Sequence, residues 1–103
     1  MHTVVLCYGL MVTWPVASLG AWLAAHHVRV VYESPVVGAL YVGHSLGAAR
    51  CAGLARVYRG RSVGIDPVPP AGDVQFSAAA LGDNHLSVVN DPRVRAYVLR
   101  LVH

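Results

Sequence analysis

Apolar residues in this chain fall mostly in short unbroken runs rather than in strict alternation. Thr3-Val4-Val5-Leu6-Cys7-Tyr8 is β-branched and apolar at successive positions and stops at Gly9. A strand buried on both faces reads this way, and such strands belong to parallel sheets. Residues 10–15 read as a loop in which Pro15 suits the first turn of a helix. Val16, Leu19, Trp22 and Leu23 then recur at helical spacing and carry that helix to His26. Val28 to Tyr32 is a second strand and Ala39 to Val42 a third. After the turn Gly43 to Gly47, residues 46–58 read as a helix with Leu46, Ala49, Gly53, Leu54 and Val57 on its apolar stripe. Ser62 to Ile65 is a fourth strand, and Val74 to Ala79 a fifth. The last helix is the clearest element: Asp91 is a good N-cap, Pro92 takes the first helical position, and Val94, Tyr97, Val98, Leu101 and Val102 form one face. Strands alternating with helices predict an α/β domain with a mostly parallel sheet, formed by residues 1–103 as one unit.

The chemistry concentrates in Gly43-His44-Ser45-Leu46-Gly47, a G-x-S-x-G sequence. It follows a buried-strand pattern and opens a helix, the strand–turn–helix setting that a nucleophile elbow requires. A serine there sits at the carboxyl edge of the sheet, above the amino end of a helix whose unpaired N–H groups suit an oxyanion. A serine nucleophile needs a base, and the base needs an orienting acid. His85 lies in a loop ahead of the last helix, and Asp66 directly follows the fourth strand. The order Ser45, Asp66, His85 is the chain order of a triad on this kind of fold. Asp83 is the competing acid. His44, at the variable position of the elbow, reads as a packing or hydrogen-bonding residue, and Glu33 as a solvated rim residue. Trp14 and Trp22 read as core residues, with lining of an acyl pocket as the alternative for Trp14 in the loop near Gly9.

On these residues the chain resembles the α/β-hydrolase superfamily, in particular its lipase, esterase and thioesterase branches. Gly-His-Ser-Leu-Gly at 43–47 is similar to the elbow of lipases, and Gly64-Ile65-Asp66-Pro67 to their acid segment. Asn84 to Val89 with Asp91-Pro92-Arg93-Val94 resembles the His loop and closing helix of thioesterase-like members. Val5 to Leu10 lines up with the first oxyanion segment, with Tyr8 in place of the usual His before Gly9. The resemblance implies a minimal α/β-hydrolase-like three-layer domain of about five mostly parallel strands in the order 2-1-3-4-5. It implies acyl transfer by Ser45, His85 and Asp66, with the amides of Leu10 and Leu46 as oxyanion donors. The substrate would be a small acyl ester or thioester, with no cofactor and no metal.

The chain also departs from that family. Only Glu33 to Gly38 join the second and third strands, where a parallel crossover normally takes a dozen or more residues. Six extended residues reach only ~20 Å. Either the crossover is a bare extended segment or the second strand pairs differently. No insertion provides a lid, so the site is expected to be open and to favour small or flexible acyl groups. The thinly covered sheet face suggests burial by another copy of the chain, a homo-oligomer. The alternative to an enzyme is a catalytically degenerate hydrolase fold kept as a binding or assembly module.

Composition narrows the picture further. The chain has 103 residues, 55% of them apolar and 13% charged, which excludes disorder. A net charge of +3, carried by arginines, is too modest to indicate nucleic acid. The cluster Arg50, Arg56, Arg59 and Arg61 reads as a solvated helix face and turn. Residues 1–28 lack Asp, Glu, Lys and Arg, but Gly9, Pro15 and Gly20 interrupt the run, which argues against a spanning helix. Met1-His2-Thr3 offers no basic n-region for a signal peptide. Cys7 and Cys51 lie in apolar surroundings and are expected as buried free thiols. That state fits a reducing compartment and a cytoplasmic protein, with secretion left open.

Overall fold

The computed structural model describes residues 2–10 and 12–103. Met11, within the loop expected at 10–15, lies outside the described residues, as does Met1. Five strands form one parallel sheet: β1 (Thr3–Cys7), β2 (Arg29–Tyr32), β3 (Leu40–His44), β4 (Arg61–Ile65) and β5 (Val74–Phe76). Their order is β2-β1-β3-β4-β5, with β1 in register between β2 (Val5 opposite Val31) and β3 (Val5 opposite Tyr41). The order matches the sequence expectation. β1 and β3 are buried along their whole length, which is why their sequences do not alternate, whereas edge strand β2 is partly exposed.

Helices cover the two sheet faces unequally. α1 (Trp14–Ala25), with Pro15 in its first turn, and α4 (Pro92–Val102) cover one face. Asp91 caps α4 by accepting a hydrogen bond from the Arg93 amide at 2.8 Å. Val94, Val98 and Val102 on α4 and Leu19 and Leu23 on α1 bury against Val4, Leu6, Val42 and Ile65 of the sheet. Val88 and Val89 of a 3₁₀ turn (Ser87–Asn90) complete this core. α2 (Gly47–Val57) covers the other face over a smaller core of Val5, Ala39, Tyr41 and Ala55.

The crossover from β2 to β3 is a bare segment. Tyr41 braces it from below: its hydroxyl accepts from the Val36 amide at 2.9 Å and donates to the Val36 carbonyl. Gly38, at φ +75°, turns the chain into β3 and donates to the Tyr58 carbonyl.

Four expectations need correction. The buried face of α2 is formed by Ala48, Cys51 and Ala55, whereas Leu46, Ala49 and Val57 of the expected apolar stripe are exposed and Gly53 and Leu54 only partly buried. The residues that meet the sheet are the small ones that let the helix approach it closely. Cys7 and Cys51 are not free thiols but a disulfide that ties the end of β1 to α2, with Cα atoms 6.1 Å apart. The compartment argument from free thiols therefore loses its support. β5 ends at Phe76, and Ala78 and Ala79 belong instead to a short helix, α3 (Ala78–Leu81). Ser77 caps α3 and Gly82 ends it in the left-handed conformation, so local capping overrides the strand reading. Trp14 is exposed, while Trp22 packs against the core as expected. No helix among the described residues is long and apolar enough to cross a membrane.

Candidate active site

Three of the five non-glycine residues at positive φ among the described residues lie at the carboxyl edge of the sheet; the other two, His27 and Arg59, lie in turns ahead of β2 and β4. The three are Glu33, Ser45 and Asp66, which directly follow β2, β3 and β4. Such outliers persist only where the surroundings enforce them, and they concentrate at functional sites. Ser45, at φ +56°, is held by its amide donating to the Ile65 carbonyl at 3.1 Å. The glycines on either side are required by close approach. A Cβ on Gly43 would overlap the backbone of Ala48, and one on Gly47 the carbonyls of Cys7 and Tyr8. The elbow packs that tightly against β1 and its own helix. Leu46 is the N-cap residue of α2, so its amide lies at the positive end of that helix.

Asp66 stands on the neighbouring strand end. Its Oδ2 accepts a 2.5 Å hydrogen bond from His85 Nδ1–H, and its Oδ1 accepts one from the Ala78 amide at 3.1 Å. The misread helix α3 thus supplies a second donor to the carboxylate. Burial alone would raise the Asp66 pKa. The hydrogen bonds from His85 and Ala78 outweigh it and hold the carboxyl below its ordinary value. With the proton on Nδ1, the neutral imidazole keeps its lone pair on Nε2, the form a general base needs. Asp83, the competing acid, does not pair with His85. It faces Asp91, and hydrogen bonding with that carboxyl raises its pKa.

The loop that carries His85 is locked from within. Asn84 Oδ1 accepts from the amides of Leu86 and Ser87, and Ser87 Oγ accepts from the Asn84 amide. Ser45 and His85 line one cavity of about 260 Å³ together with Gly9 and Leu10, and Val12 and Leu86 give it apolar walls. Among the described residues the Ser45 hydroxyl is not hydrogen-bonded to the imidazole. Looser geometry of this kind is common in unliganded sites.

Sequence reasoning missed the partners of Arg50, Tyr8 and His44. Arg50 and Glu33 are not merely solvated. They form an ion pair at 2.6 Å, and the same guanidinium donates to the Tyr8 carbonyl at 2.6 Å, beside Gly9 and Leu10. Tyr8 also stacks on Tyr32, with ring centroids 5.3 Å apart. His44 is almost wholly buried in the wall of the same cavity as Ser45 and His85, with its Nε2–H donating to the His85 carbonyl at 2.7 Å. Its position in the elbow motif is the sequence signal that singles it out. A larger cavity of about 610 Å³ runs beside α2, where Glu33, Arg50, Gly53, Leu54 and Val57 line it. It holds no nucleophile beside a base. No group of side chains among the described residues is arranged to hold a metal ion.

No family model matches the chain, and no curated protein matches it by sequence.

Proposed function

We propose that this chain is a serine hydrolase of the α/β-hydrolase type that cleaves carboxylic esters or thioesters through an acyl-enzyme. The observation that carries this reading is a serine at φ +56° on a strand–turn–helix elbow, sharing one cavity with a histidine hydrogen-bonded to Asp66. In this mechanism His85 Nε2 takes the Ser45 proton as Oγ attacks the carbonyl carbon. Asp66 stabilises the imidazolium that forms. The amides of Leu10 and Leu46 hold the oxyanion, and His85 then protonates the leaving alcohol or thiol. A water activated by His85 releases the acid. The cavity is small and has apolar walls, which supports short or flexible acyl groups as substrates.

Labelling with a fluorophosphonate, alongside hydrolysis of p-nitrophenyl esters of increasing chain length, tests the proposal. Ser45 should be labelled, activity should fall as the acyl chain lengthens, and Ser45→Ala should lower kcat by about 10³-fold or more. Folded protein that neither labels nor releases p-nitrophenol, and that matches Ser45→Ala in both assays, would instead be a binding or assembly module.

A further inference from the structure

We propose that His44 is the positioning residue for His85: its buried Nε2–H fixes the His85 carbonyl, and through it the loop that aims the imidazole between Asp66 and Ser45. The inference rests on the hydrolase reading for its catalytic consequence, but not for its geometry. A carbonyl oxygen only accepts, so the 2.7 Å contact requires the proton on His44 Nε2. The acceptor is the backbone of the histidine bonded to Asp66, 41 residues further along the chain. The two rings also lie against each other, with centroids 4.7 Å apart. His85 is thereby held at two points: Asp66 orients its ring and His44 holds its main chain.

Stability alone does not account for an imidazole at this position. His44 is 2% exposed, and its Nδ1 is buried with no hydrogen-bond partner among the described residues. A buried acceptor left unsatisfied opposes folding, and an apolar side chain of similar volume would avoid that cost. Burial also pushes the imidazole pKa below its ordinary value, against the pull of the His85 carbonyl, and so favours the neutral form. The groups that face His44 from neighbouring elements are His85 and Asp66. What the imidazole provides there is one donor, at the height of the His85 carbonyl. Groups buried against their own stability concentrate where a site needs fixed geometry.

Two substitutions separate the hydrogen bond from the packing. His44→Phe keeps a ring against His85 but has no donor, and His44→Gln keeps an N–H donor without the ring. Fluorophosphonate labelling and ester hydrolysis should slow by about 10- to 100-fold in His44→Phe, with KM within about twofold, because misplacing a catalytic group by about 1 Å costs up to that much. His44→Gln should recover most of the rate. The melting temperature of His44→Phe should equal or exceed that of the wild type. Should His44→Phe not fold, His44→Leu takes its place as the variant without a donor.

A second readout does not depend on activity. In proton NMR the His85 Nδ1–H bonded to Asp66 should give a far-downfield resonance that sharpens with loop order. It should broaden or vanish in His44→Phe and persist in His44→Gln. Wild-type labelling rates and an unchanged resonance in His44→Phe would overturn the proposal. So would equal loss in both variants, which would make packing the cause. Wild-type protein that never labels would overturn the hydrolase reading alone, and the resonance would still decide the role of His44.

Discussion

One face of the sheet is covered by α1 and α4, the other by α2 and a bare crossover, and the two are held by different physics. On the α1/α4 face, sixteen buried apolar residues form a continuous aliphatic core, and removal of their surface from water is the main stabilising term. On the α2 face the buried cluster has six members, among them both half-cystines and Tyr41. There the missing crossover helix is replaced by directional links: the disulfide, the two hydrogen bonds of the Tyr41 hydroxyl, and the Arg50–Glu33 pair at the rim. A face too thin to bury much apolar area relies on specific bonds instead. These bonds also brace the Tyr8-Gly9-Leu10 side of the candidate site, since Cys7 precedes that segment and Arg50 holds the Tyr8 carbonyl.

The largest expected effect lies on the α1/α4 face. Leu19 is fully buried between α1 and the sheet, so Leu19→Ala should cost about 2–5 kcal/mol by loss of transfer energy and a residual cavity. Urea unfolding would show this as a lower midpoint with little change in slope, and a loss below about 1 kcal/mol would mean that the core is less closely packed than described. On the α2 face, joint Cys7→Ala and Cys51→Ala should cost about 2–4 kcal/mol, because the bridge constrains the unfolded chain across 44 residues. Peptide mapping of non-reduced protein should recover a Cys7–Cys51 linked pair, and unfolding curves of the double variant give the cost. The smallest effect belongs to Tyr41→Phe. It leaves the Val36 amide and carbonyl without their partner in a partly buried place, at about 1–2 kcal/mol. Amide exchange at Val36 should accelerate in that variant while exchange in α4 stays unchanged.

The buried central strands and α4 were legible in the sequence because each carries a pattern tied to its environment. β1 shows an apolar run without alternation, and α4 shows a cap, a proline and a regular stripe. β2 has a similar β-branched sequence, and its place at an edge came from the strand order that the family resemblance implies, since strand pattern alone does not reveal which side lacks a neighbour. α3 was misread because Ala78 and Ala79 suit either state. Its signals were Ser77 before the alanines and Gly82 after them. The disulfide depends on β1 and α2 being brought together by long-range pairing, which spacing alone does not encode. Within the candidate site, motif and chain order singled out Ser45, Asp66 and His85; the fold bonds His85 to Asp66 and brings it to the cavity that Ser45 lines. The partner of His44 was not singled out, because it is a main-chain carbonyl, a group every residue carries and no sequence pattern marks.

Both rims of the sheet end in short strands: β2 has four residues with Arg29 exposed at its start, and β5 has three. Pro67, Pro69 and Pro70 precede β5, and proline offers no amide for pairing. Short edges with nearby charge or proline are poor templates for another chain's strand, and natural proteins use them to resist aggregation. Self-association through sheet extension is therefore disfavoured at either end.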